Sequence, residues 1–128
     1  MNINKLYLIN ENDFTAAIQN WAIGASFEHI EPANLNNMLE ESIDGAVVFH
    51  VNHNFNKEIV DKLKLLENHN LSLHKVDING TIAATVSNLE MWLDRNRPKN
   101  VLVMGCNDVA KSDNLNKFLL NLLKKLKG

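Results

Sequence analysis

Two uninterrupted apolar runs constrain this chain most. Ala46-Val47-Val48-Phe49 and Val101-Leu102-Val103-Met104 carry no polar residue at alternate positions. A strand with one face in water alternates apolar and polar residues, whereas a strand covered on both faces reads as a continuous apolar run. Each run is short and is followed by residues at helical spacing. The chain is therefore expected to build a sheet with helices on both sides.

The rest of the chain repeats the same alternation. Leu6-Tyr7-Leu8-Ile9 reads as strand one, and Phe14, Ile18 and Trp21 then recur at helical spacing behind a cap at Asn12 or Asp13. Gly24 ends that helix, and Phe27 to Ile30 gives a weak second strand. Pro32 opens a short helix carrying Leu35, Met38 and Leu39. Asp44-Gly45 is a turn before strand three. A helix with Ile59, Leu63 and Leu66 on one face closes at His69-Asn70. Leu71 to Ile78 reads as strand four, and Thr81 as the cap of a helix with Val86, Leu89 and Leu93 aligned, stopped by Pro98. The last helix runs from about Asp113, with Leu115, Phe118, Leu119, Leu122 and Leu126 inward.

This pattern predicts one α/β domain over residues 1–128: a three-layer, doubly wound sheet of five parallel strands with five helices. A Rossmann-like and a flavodoxin-like strand order share the pattern, so the order stays open. A 128-residue chain suits a single domain. The single cysteine, Cys106, leaves no internal disulfide framework and fits a reducing compartment. The opening Met1-Asn2-Ile3-Asn4-Lys5 does not have the form of a secretory signal, so a cytoplasmic location is expected. A net charge of −2 gives no basic field for nucleic acid, and no apolar run approaches the length of a membrane span. Neither partner is expected. Lys124, Lys125 and Lys127 complement the negative end of the last helix. The apolar stripe of that helix is read as core packing, with a homo-oligomer interface as its alternative use.

In open parallel sheets, ligands bind beyond the C-terminal strand ends, where helix N-termini present free N–H groups. Four loops follow strands in this way. They carry Asn10, Glu11, Asn12 and Asp13; His50, Asn52, His53 and Asn54; Asp77, Asn79, Gly80 and Thr81; and Gly105, Cys106, Asn107 and Asp108. Their polar groups are expected to converge on one small-molecule site. Many of these residues also serve as helix caps and turn formers. His50, His53 and Glu11 go beyond what capping needs.

No sharper motif is present. There is no Walker loop and no Gly-x-Gly-x-x-Gly, and the loop after strand one holds no glycine. Asn79-Gly80-Thr81 reads either as a cradle for one phosphate or carboxylate or as a turn plus cap. His50-Val51-Asn52-His53 lacks the ligand set of a metal site, so no metal is expected. His74 reads as a core histidine. Cys106 reads as a small buried apolar residue, and a nucleophile's role would need His50 or His53 within reach.

Four stretches form a set: the first helix, with Asp13, Ala16, Ala17, Ile18, Trp21 and Ala22; Asp44-Gly45 before Ala46 to Phe49; Asp77 at the end of strand four; and Trp92-Leu93 before a basic turn and a strand ending at Gly105. On these residues, and across most of its length, the chain resembles the putative molybdenum carrier proteins, a Rossmann-like branch of the lysine-decarboxylase-like nucleotide-binding group. Residues 71 to 120 carry the best part of the resemblance. The resemblance implies a Rossmann-like fold and a nucleotide-like or phosphate-containing ligand. The family's first loop is glycine-rich and is implicated in holding a phosphate; Asn10 to Asp13 stand in its place here.

Three functions are compatible with these readings. The first is binding or sensing of a small polar ligand. The second is catalysis at a nucleotide or glycosidic bond, with Glu11, Asp13 or Asp77 as acid or base and a histidine assisting. The third is a pseudo-receiver or interaction module, in which His50-Val51-Asn52 occupies the place of an acceptor aspartate. No residue pattern names a cofactor.

Overall fold

The computed structural model describes residues 3, 5–8, 12–25, 28–30, 43–52 and 54–127, without the side chains of 28–30, 126 and 127. The strands are β1 (Lys5–Leu8), β2 (Glu28–Ile30), β3 (Gly45–His50), β4 (Ser72–Asp77) and β5 (Asn100–Gly105). The helices are α1 (Asp13–Gly24), α2 (Lys57–Asn68), α3 (Ile82–Asn96), the single-turn α4 (Asn107–Ala110) and α5 (Asp113–Lys127). The helix expected after Pro32 lies outside the described residues. The short α4 is an element that the sequence reading did not anticipate.

Among the described residues every pairing between these strands is parallel, an arrangement that needs crossover connections between successive strands. Four strands of four to six residues form the body of the sheet, and the three-residue β2 pairs along the outer side of β1. The order is β2-β1-β5-β3-β4. It is neither of the two orders held open above, because the last strand inserts between β1 and β3. Val101 shows the insertion directly, sitting opposite Leu6 on one side and Gly45 on the other.

Strand residues alternate between two apolar cores. Leu6, Leu8, Val47, Phe49, Val101 and Val103 face one side, where α1, α3 and α5 bring Phe14, Ile18, Leu89, Leu93, Phe118 and Leu122. Tyr7, Ala46, Val48, Leu102 and Met104 face the other, where α2 brings Ile59, Leu63 and Leu66. Phe49 holds the centre of the first core, 5.2 Å from the Phe14 ring and 5.4 Å edge-on to Phe118. Burial of one such ring contributes about 2–3 kcal/mol. The stripe on α5 is therefore core: Leu115, Phe118, Leu119 and Leu122 are all buried. Trp21 donates its indole N–H to the Leu119 carbonyl at 2.9 Å, tying α1 to α5.

Polar bonds fix the strand entrances. Asp44 accepts from the backbone of Lys99 at 3.0 Å and of Asn100 at 2.7 Å, so one carboxylate aligns the starts of β3 and β5. Gly45 is required beside it, because a Cβ there would lie 2.9 Å from the Trp92 ring.

Two histidines sit differently from expectation. His50 was a candidate surface or ligand-contacting residue, but it is 1% exposed and its ring packs on Phe55 at 5.0 Å. As the last residue of β3 it follows the strand's alternation inward, onto the face that carries Val48. His74 is only half-buried. It belongs to β4, the edge strand, and stacks on Trp92 at 5.7 Å instead of entering the core.

Candidate functional site

The strand order decides where a site can form. From β1 the chain moves outward to β2, and from β3 it moves outward to β4, with β5 between them. The helix after β1 packs on one face of the sheet and the helix after β3 on the other. Their N-termini part at the strand ends and leave a crevice, as expected where winding reverses in an open α/β sheet.

An open cleft of about 480 Å³ occupies that place. Asn12 lines it from the cap of α1, Asn54, Asn56 and Glu58 from the loop and first turn before and within α2, and Cys106, Asn107 and Asp108 from the end of β5. Its volume lies within the usual range for small-molecule sites.

Each wall has a local cause. Asn12 is extended and caps α1, with its side-chain oxygen accepting from the Thr15 amide at 2.8 Å. Its Nδ2 donates to the Gly105 carbonyl at 3.2 Å. Asn107 reaches back, its Oδ1 accepting from the Asp13 amide at 3.0 Å. These two bonds join the loop after β1 to the loop after β5. Gly105 permits the close approach, since a Cβ there would lie 3.1 Å from three atoms of the Phe14 ring. Asn56 caps α2 through the Ile59 amide at 2.9 Å. Asn54 donates to Asp108 at 3.4 Å across the cleft mouth.

Among the loop residues expected to converge, Asn12, Asn54, Cys106, Asn107 and Asp108 meet in this cleft, and Asp13 and Gly105 are bonded to its walls. Cys106 lines the cleft yet is buried and packs with the Tyr7 and Met104 cluster. Asn10, Glu11 and His53 lie outside the described residues. Asp77, Asn79, Gly80 and Thr81 follow the edge strand β4 and do not line the cleft. Four loops were expected to converge; three contribute to this lining.

Asp77 has a different task. Its Oδ1 accepts from the backbone of Asn79 at 3.0 Å and of Asn52 at 3.3 Å. Asn52 takes a left-handed conformation, φ 50°, which asparagine tolerates better than most residues. The carboxylate thereby ties the turn after β3 to the turn after β4. Thr81 stands at the cap position of α3 but makes no side-chain cap bond. Instead its carbonyl accepts from the Thr85 hydroxyl at 2.8 Å. The Gly80 amide closes a turn on the Asp77 carbonyl at 3.1 Å, while the cap expected of the Thr81 side chain is not made.

Asn56 and Glu58 were not among the candidates. Asn56 was legible only as a helix cap, and Glu58 only as the start of a helix. Nothing local tells a cap on a cleft from a cap on open surface. Among the described residues no three His, Cys, Asp or Glu side chains are grouped to hold a metal, and no helix is long and apolar enough to cross a membrane.

No protein-family profile matches the sequence, and no curated protein matches it significantly. One solved structure does align: the Putative molybdenum carrier protein from Syntrophus aciditrophicus SB. It superposes with a TM-score of 0.69, covering 96% of this chain and 94% of that one, at 11% identity. At that identity the likeness shows a shared fold and leaves the ligand to be argued from the cleft.

Proposed function

We propose that this chain is a small-molecule-binding protein, with its ligand held in the cleft between the ends of β1, β5 and β3. The observation that carries this reading is the cleft's position: it opens where α1 and α2 leave for opposite faces, and polar side chains from three loops meet there. The structural likeness to a carrier protein supports the same reading at the level of fold.

The molybdenum suggested by that neighbour's name was compared with the residues present. Molybdate is a dianion, and the molybdenum cofactor carries a phosphate; either needs cations or free N–H donors. Among the described residues the lining has no Lys or Arg, and it has the carboxylates of Glu58 and Asp108. These residues do not fit that group.

The test is a thermal-shift screen of the full chain against polar metabolites, repeated with Asn54→Trp. Asn54 is exposed, so the larger ring fills the cleft without entering the core. A true ligand at about 100 times its Kd adds roughly 2.7 kcal/mol of stability. That gain should disappear in the variant. A screen without any stabilising compound, or a gain that survives Asn54→Trp, sinks the reading.

A further inference from the structure

We infer that the cleft selects an uncharged or cationic molecule rich in hydrogen-bonding groups, and turns away phosphates and oxyanions; this rests on the proposed function above. An anion at a helix N-terminus needs the first amides of the helix to be free. At the starts of α1 and α2, the two full-length helices that open on the cleft, side chains of the chain itself take up part of these amides. Asn107 Oδ1 takes the Asp13 amide, Asn12 Oδ1 takes the Thr15 amide, and Asn56 Oδ1 takes the Ile59 amide.

Those bonds also fix how the carboxamides are turned. A side chain whose oxygen accepts from the backbone presents its NH₂ group elsewhere. Asn56 and Asn107 therefore offer NH₂ donors, while Asn54, whose NH₂ group reaches Asp108, offers its oxygen. Such a mixed set matches a neutral polar molecule.

The charges agree. Lys62 lies 2.8 Å from Glu58 and offsets it. Among the described residues Asp108 has only the long contact from Asn54. The described lining therefore carries a net negative charge, which favours a cation or a neutral molecule over an anion.

The experiment follows backbone amides of ¹⁵N-labelled full chain at Asn12–Thr15, Asn54–Ile59 and Cys106–Asp108. One compound set is neutral or cationic at pH 7.5: nucleosides, amino sugars and polyamines. The other is anionic: inorganic phosphate, molybdate and nucleoside monophosphates. Perturbation of these amides by members of the first set alone is the expected result. In the double variant Glu58→Gln, Asp108→Asn, the anions that leave the unaltered cleft untouched should begin to perturb these amides, with an affinity gain of roughly tenfold, the weight of a unit charge several ångströms away at intermediate dielectric. Saturable anion binding to the unaltered cleft overturns the inference while leaving a binding cleft in place. A cleft untouched by both sets overturns the binding function itself, and the inference with it.

Discussion

Asn107 Oδ1 accepts the backbone N–H of Asp13 at 3.0 Å, across 94 residues of sequence. The bond places the side chain that follows β5 over the start of the helix that follows β1. Asn107→Ala removes the acceptor and should destabilise the protein by about 1 kcal/mol, since the site is exposed and water can replace part of the bond. Asn107→Asp keeps an acceptor beside the positive helix end and should recover that loss. Urea denaturation of the three proteins checks the pair. Equal midpoints for all three would show that the bond contributes nothing.

Gly105→Ala tests how closely β5 and α1 must approach. The added methyl would meet the fully buried Phe14 ring at 3.1 Å, and that ring is held by Phe49. Overpacking of this kind costs about 1–3 kcal/mol. Thermal unfolding should show a Tm lower by several degrees. An unchanged Tm would mean that the ring has room to shift.

Asp44 binds two backbone amides that lie next to each other in sequence. Asp44→Ala leaves both without their charged acceptor at the entrance of two central strands. The expected loss is about 1–3 kcal/mol. Amide hydrogen exchange would localise it, with faster exchange expected at Lys99 and Asn100 than at the far end of β5.

His74 stacks on Trp92, and burial lowers its pKa below the ordinary value of 6.5. The unfolded chain therefore binds a proton at higher pH than the folded one does. Stability from this residue is fully present above about pH 6.5 and falls as pH drops through 6.5 toward the folded value. His74→Gln should flatten the decline in Tm between pH 7.5 and 5.5. An identical decline in the variant would assign the effect to other groups. Trp92 also donates to the Ser72 hydroxyl at 3.0 Å, so its fluorescence offers a second readout at the same edge.

How much was legible varies by element. Val101 to Met104 were recognisable as a covered strand because continuous apolarity has few other uses in a short segment. The helix from Asp113 was recognisable because its inward leucines keep one stripe. His50 was misplaced because polar character outweighed position: the last residue of a strand covered on both faces is buried whichever face it takes. Asp77 looked chemical in sequence, yet its carboxylate holds two turns together. A carboxylate that organises a loop and one that works on a ligand are the same letter.

By itself the sequence determined the five strands, the four longer helices of the described residues and the strand ends where polar groups would gather, because hydrophobic period and helix caps are local properties of neighbouring residues. The placement of β5 between β1 and β3 was decided only by the tertiary structure, because pairing joins segments about 50 to 100 residues apart through backbone bonds that carry no side-chain signature. That choice brought Asn12, Asn56 and Asn107 to one cleft and left Asp77 at the sheet's edge.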